Sequence, residues 1–201
     1  MIPVGPPILP RDTGSADARK MWRPTREQLA AAVDQRVSDV IGPGLRVLFC
    51  GINPGLYSGA VGHHFARPGN RFWKALHAGG FTGRVLSPFE ERELLVLGLG
   101  VTNLVARTTR GAGELSPHEL RQGGRRLRRK VCRHRPVFVA ILGMTSFRMA
   151  FGRPAAAIGP QGESICSSHL WLLPNPSGLN AHYQLAHLAA EFARLREAVE
   201  G

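Results

Sequence analysis

The sequence predicts a three-layer α/β/α sandwich around a mostly parallel central sheet, and three observations carry that prediction. Short β-rich runs alternate along the chain with segments of helical period, the pattern of βα units. The runs are apolar almost throughout rather than at every second residue, as strands covered on both faces are. Between them, helix-start signals recur at Ser87 and Ser116.

Residues 1–23 carry Pro3, Pro6, Pro7 and Pro10 and then a polar stretch without period, so a loose tail is expected there and one domain over 24–201. Thr25 with Gln28 has capping-box spacing and opens a helix, which Gly42-Pro43-Gly44 would end. Residues 45–50 form the first predicted strand, bounded by turn residues on both sides. A helix follows over 71–78, with Asn70 as cap and Gly79-Gly80 as stop. Ser87-Pro88-Phe89-Glu90 and Ser116-Pro117-His118-Glu119 each combine a cap, a proline at the first helical position and a Glu three residues after the cap. Strands are predicted over 100–105, 137–142 and 170–173. Leu185, Leu188, Phe192 and Leu195 then keep helical spacing to the end, with Asn180 as the expected cap.

A chain of 201 residues fits a single core. Its 26 Lys+Arg against 14 Asp+Glu leave a formal charge of +12. That surplus points to a polyanionic partner without separating DNA from RNA or an anionic membrane. Cys50, Cys132 and Cys166 lie far apart with no CxxC pair, which excludes a sequence-local zinc or iron–sulfur framework. Cys50 and Cys166 sit in or beside apolar runs and read as small buried hydrophobes in a reducing compartment. No stretch approaches the ~20 apolar residues that span a bilayer, and the N-terminus shows no secretion signal. A cytoplasmic, monomeric protein is expected.

In parallel sheets, ligands bind beyond the carboxyl ends of the strands. Two chemically unusual loops fall there. Gly51-Ile52-Asn53-Pro54-Gly55 follows the first strand, and Asn175-Pro176-Ser177-Gly178 follows the last. Each alone is simply a good turn sequence. Together with their surroundings they say more. Gly51 to Leu56, Gly62-His63-His64-Phe65 and Pro68 to Lys74 resemble the first signature of the mismatch-specific uracil/thymine-DNA glycosylases. Residues 173–179, Leu-Pro-Asn-Pro-Ser-Gly-Leu, are similar to that family's second signature, and 100–105 with Arg107-Thr108-Thr109 to its intervening strand and loop. The resemblance spans roughly residues 45–195 and leaves the N-terminal tail uncovered.

The resemblance implies a monofunctional glycosylase of base excision repair. It would flip uracil, with thymine or other damaged bases as further substrates, from mismatched duplex DNA and hydrolyse the N-glycosidic bond without metal or cofactor. Asn53 stands where that family orients the hydrolytic water, and Phe65 where an aromatic ring stacks on the flipped base. Ile52 and Phe65 would offer backbone groups to the base edge, and Ser58 would lie near it. Tyr57 is bulkier than the small residue expected there. Asn175, Ser177, Gly178, Leu179 and Asn180 match the loop that enters the duplex, with Leu179 as the wedge. Physical chemistry agrees with these roles. Extruding a base costs a few kcal/mol, stacking on an aromatic ring returns ~1–3 kcal/mol, and an apolar wedge offsets part of the rest.

Glu93 is a weaker second candidate for the chemistry, because it adjoins Leu94-Leu95. Facing the interior, its pKa would rise. Glu90 and Glu119 are already accounted for as capping residues. His63, His64 and His182 lack a further ligand at metal-binding spacing, so phosphate or base contacts, or plain loop polarity, fit them better. The Arg-rich helix after Ser116 places cations at so many successive positions that they would encircle it, as on a solvated surface. The rival reading is a non-catalytic nucleic-acid-binding protein on the same scaffold, which would not need Asn53. A zinc base deaminase would need His-x-Glu and Pro-Cys-x-x-Cys ligands, and an iron–sulfur uracil-DNA glycosylase a fourth cysteine. Neither is present.

Overall fold

The computed structural model describes residues 23–178 and 183–201. Its core is a five-stranded sheet in the order β2-β1-β3-β5-β4. The strands are β1 (Val47–Gly51), β2 (Leu99–Asn103), β3 (Phe138–Leu142), β4 (Gly159–Ile165) and β5 (Ser168–Leu173). The pairs β1–β2, β1–β3 and β3–β5 are parallel, and only β4 runs against its neighbour. Helices cover both faces, so the predicted three-layer sandwich is the observed architecture.

Alternation along β1 shows why the strands are apolar throughout. Val47 and Phe49 enter the core beneath α3 (Phe72–Ala78) and α6 (Leu185–Glu200). Leu48 and Cys50 enter the opposite core, beneath α4 (Pro117–His134) and α5 (Met144–Phe151). Phe49 meets Phe72 edge-on at 5.6 Å and stacks on Phe192 at 5.7 Å. Leu188, Phe192 and Leu195 of the predicted last helix are all fully buried. Full burial of each such side chain is worth ~1.5–3 kcal/mol.

All three capping boxes form. Thr25 and Gln28 open α1 (Arg26–Ala31), and Ser116 and Glu119 open α4. Ser87 and Glu90 open a 3-10 helix, Pro88–Leu97, instead of an α-helix. The first described helix stops at Ala31, well before the predicted Gly42. Asp34 turns with φ 60°, and Val40 then exchanges two 2.9 Å hydrogen bonds with Val101, covering the free edge of β2. β4 was not foreseen. Its sequence, Gly-Pro-Gln-Gly-Glu-Ser-Ile, is polar and half exposed, which only an edge strand tolerates.

Three further expectations are corrected. Cys166 is exposed in the β4–β5 turn and joined to Cys132 in a disulfide, so only Cys50 is a buried free thiol. Gln184, not Asn180, is the N-cap of the last helix. The cations of α4 do not encircle it. Leu120, Gly123, Gly124, Leu127 and Val131 form one buried stripe. A methyl on Gly123 or Gly124 would sit 2.6 Å from the Leu104 carbonyl oxygen or 2.7 Å from that of Ala150, so the helix lies tight on the segment after β2 and on α5, and its arginines share the outer arc. Leu179, Asn180, His182 and residues 1–22 of the expected tail lie outside the described residues.

Candidate active site

The chain crosses to opposite faces of the sheet on leaving β1 and on leaving β2, so a crevice opens beyond the carboxyl end of β1. The two Asn-Pro loops meet there. One cavity is lined by Ile52, Asn53, Ser58 and Phe65 from the first loop region and by Asn175 and Ser177 from the second. Six positions read from the sequence thus converge on one place.

Asn53 is held by the loop after β2. Its Nδ2 donates to the Thr109 hydroxyl at 2.7 Å and to the carbonyl oxygens of Pro54 and Arg107 at 3.1 and 3.2 Å. Two of these partners can only accept, which fixes which end of the amide is nitrogen. The Thr109 hydroxyl spends its own hydrogen on the Gly111 carbonyl at 2.8 Å and so must accept from Asn53. The Asn53 oxygen is then the end of the amide available to accept from a water. Arg107 is itself anchored, since its guanidinium meets Glu119 at 2.6 Å and Asp34 at 3.1 Å. That guanidinium and the Ser116 amide hold the Glu119 carboxyl down at about 2.

Phe65 adopts φ 53°, the left-handed region that a non-glycine enters at a cost of ~1–2 kcal/mol. The turn puts its ring flat against Phe72, with centroids 4.1 Å apart, and against the end of β1. A methyl on Gly51 would stand 3.2 Å from that ring and 2.4 Å from Asn103 Oδ1, so only glycine lets the aromatic wall and Asn103 approach the strand end together. Ile52 lines the cavity, and its carbonyl accepts from the Val105 N–H at 2.9 Å. Ser58 is buried and accepts the Ala66 N–H at 3.1 Å, which ties down the turn carrying Phe65. Tyr57 does not line the cavity.

The second loop is fastened to the first. Asn175 Oδ1 accepts the Ser177 N–H at 3.0 Å. Gly178 lies so close to Gly69 that a methyl on it would be 2.6 Å from the Gly69 carbonyl oxygen. Arg71 spans the loop, its backbone N–H donating to Pro176 O at 3.0 Å and its guanidinium to the carbonyls of Ser177 and Tyr183.

Glu93 does not enter this site. Its carboxylate is exposed and takes Arg84 at 2.9 Å. The buried acid is its neighbour Glu91, which accepts from His63 Nδ1 at 2.9 Å, His64 N at 2.9 Å and His64 Nδ1 at 3.1 Å. Burial pushes the Glu91 carboxyl up, but these hydrogen bonds outweigh it and hold the group at about 2. Glu91 thus clasps both histidines, and His64 itself lines the cavity, whereas among the described residues no Asp or Glu does. Arg67 and Arg110 stand exposed at its rim. Burial pushes the Cys50 thiol far up, so it is no nucleophile. Among the described residues, no cluster of His, Cys, Asp and Glu could hold a metal ion, and no helix is long and apolar enough to cross a membrane.

Sequence reasoning missed Asn103, Thr109, Arg71 and Glu91. Thr109 and Asn103 had a signal, since both stand in the segment that resembles the family between its two signatures. Arg71 likewise stands in the first signature, though nothing there disclosed its partners, and Glu91 had no signal, because its partners lie far away in sequence.

A polar amide held at the floor, an aromatic wall and a basic rim make a cleft for an uncharged ring attached to a polyanion. Residues 38–200 match the family described as the Uracil DNA glycosylase superfamily. The match takes in both loops and every described residue placed at the cavity, and the mostly parallel sheet with helices on both faces is that superfamily's fold. The chain belongs to the uracil DNA glycosylase superfamily, DNA-acting hydrolases of base excision repair.

Proposed function

We propose that the chain is a monofunctional, monomeric glycosylase that flips uracil from U·G mismatches in duplex DNA and hydrolyses its N-glycosidic bond. The observation that carries this reading is Asn53, whose amide nitrogen is fixed by Thr109 and Arg107 in a cavity walled by Phe65. The flipped ring lies along Phe65, recovering part of the stacking lost in the helix. The Asn53 oxygen accepts from a water and holds it on one face of the sugar.

The water attacks the sugar carbon as the carbon–nitrogen bond breaks, the base departs with the bonding electrons, and the proton the water sheds passes through solvent to the departed base. An amide is a poor base, and among the described residues no carboxylate lines the cavity, where His64 is the one imidazole. Rate acceleration therefore rests on positioning and on stabilising the departing anion with N–H donors and the rim arginines. A mismatched uracil opens at lower cost than a paired one, so U·G is favoured over U·A. Leu179 acts as the wedge. Ser58, whose hydroxyl is committed to Ala66, stands where the thymine methyl is admitted or refused.

The test exposes labelled duplexes carrying U·G, T·G or U·A, and single-stranded uracil, to the protein and scores alkali-labile breaks. Breaks at U·G exceeding those at U·A are expected. Tight duplex binding with no breaks on any substrate would favour the non-catalytic reading instead.

A further inference from the structure

Outside the cavity, α4 carries the most unusual surface of the chain. Arg121, Arg125, Arg129 and Arg133 recur at every fourth position. They form one exposed row along the helix, with Arg126 and Arg128 beside it. Five arginines of the fold, Arg84, Arg107, Arg153, Arg194 and Arg196, each have a carboxylate at 2.5–3.1 Å. Among the described residues, none of the four in the row has a carboxylate partner.

Like charges four residues apart repel and cost a helix ~0.2–0.5 kcal/mol per pair. Gly123 and Gly124 in the same helix cost a further ~1 kcal/mol each against alanine. The helix is held by its buried stripe in spite of its outer face. A row that destabilises its own helix and lacks counterions in the fold is suited to an external polyanion.

Topology fixes where the row leads. α4 starts just after Arg110 and Gly111 at the cavity and ends before β3, whose last residue, Leu142, lines the cavity again. The helix therefore runs back towards the opposite end of the sheet, and Arg121 to Arg133 spans about 18 Å at 1.5 Å per residue. A straight duplex laid across the cavity mouth reaches only the near end of the row.

We propose that the arginine row of α4 is a second binding track for double-stranded DNA, contacting phosphates of a segment other than the one in the cavity. That segment is either a separate duplex or the bent flank of the lesion duplex. The backbone of both is the same polyanion, and contact to it is sequence-independent and strongly salt-dependent. Such a track retains the protein on undamaged DNA while the cavity is empty.

The proposal rests on the chain acting on duplex DNA, but its test needs no excision. The quadruple variant R121Q/R125Q/R129Q/R133Q keeps good helix formers and relieves the repulsion, so its melting temperature stays level or rises. Each lost phosphate contact lowers the slope of log affinity against log salt by about 0.9. For lesion-free duplex, a reduction of about 2–4 is expected, with single-turnover excision at saturating protein unchanged. If the slope falls for a short duplex and the protein binds one such duplex instead of two, the second segment is separate. If it falls only for a long lesion duplex, the flank of the bound DNA occupies the row.

An unaltered slope on both substrates overturns the proposal. So does a preference of the wild type for single-stranded RNA that the variant loses. Should the quadruple variant melt early, Arg129→Gln alone must still lower the slope by about one, and no change there overturns the proposal equally.

Discussion

The Asn53 amide nitrogen donates to the Thr109 hydroxyl at 2.7 Å, and that hydroxyl passes its hydrogen to the Gly111 carbonyl at 2.8 Å. The chain of bonds runs one way, so the Asn53 oxygen cannot exchange places with the nitrogen without breaking it. Asn53→Ala is expected to lower single-turnover excision by about 10²–10³-fold, the usual cost of losing one positioned polar group in a reaction site. Affinity for an abasic duplex should stay within about twofold, since phosphate contacts dominate binding. Thr109→Val removes one hydrogen bond worth ~1 kcal/mol to the amide's orientation and is expected to cost about fivefold. A Thr109→Val enzyme as fast as the wild type would show that Asn53 is oriented by the backbone carbonyls alone.

Glu91 offers a second test, on stability rather than chemistry. Its folded pKa of about 2 lies below the usual carboxylate value, owing to His63 and His64 acting against burial. The ionised form is thus favoured by folding. The stabilisation is full above the unfolded pKa of ~4.3 and is lost as pH falls towards 2. Glu91→Gln is expected to lower stability by ~1–3 kcal/mol at neutral pH, by leaving buried donors poorly matched, and to flatten the decline of melting temperature between about pH 5 and pH 2. Glu93→Gln should change the melting temperature little, because its pair with Arg84 is exposed. Equal effects of the two substitutions would mean that the histidine clasp contributes nothing.

The disulfide between Cys132 at the end of α4 and Cys166 in the β4–β5 turn closes a separation of 34 residues. Constraint of the unfolded chain by a loop of that size is worth up to about 3–4 kcal/mol. In a domain of this length, that amounts to a melting-temperature shift of up to about 16 °C. Reductant or Cys132→Ser should lower the melting temperature accordingly and leave excision at 25 °C unchanged, since neither cysteine lines the cavity. Calorimetry with and without reductant is the measurement, and identical melts would show that the two thiols contribute nothing as a pair.

What the sequence disclosed follows the range over which each signal acts. Capping boxes are local, and Thr25, Ser87 and Ser116 all formed as their spacing predicted. Two-sided burial is written in composition, so four strands were legible. β4 was not, because an edge strand paired to β5 needs neither apolar run nor alternation. The Asn-Pro loops were visible as turns and their convergence followed from the parallel topology. Which polar groups support them was not visible, because Thr109, Arg71 and Glu91 act on partners 27 to 112 positions away. The choice between Glu91 and Glu93 shows the limit. Beside Leu94-Leu95 either could face inward on an α-helix, but the 3-10 winding buries Glu91 with Leu94, and leaves Glu93 to solvent.

Arg71 joins both ends of the second loop, through Ser177 on one side and Tyr183 on the other, while its own backbone N–H holds Pro176. A planar fork serves two carbonyls at once, whereas the ammonium of lysine is a single point of charge on a flexible stem. Arg71→Lys therefore keeps the charge and loses the span. If the loop must hold Leu179 against the duplex, this substitution weakens base opening by ~1–2 kcal/mol, with little change in the affinity set by phosphate contacts. The loss should be greater at U·A than at U·G, because the intact pair costs more to open. Leu179→Ala alone should weaken flipping by ~1–3 kcal/mol, in line with base stacking. In the Arg71→Lys background the two losses should fall short of their sum, since residues acting through one element couple. Fluorescence of 2-aminopurine beside the lesion reports flipping directly. Full additivity, or Arg71→Lys with normal flipping at U·A, would remove Arg71 from the positioning of the wedge and leave it a structural tie between the two loops.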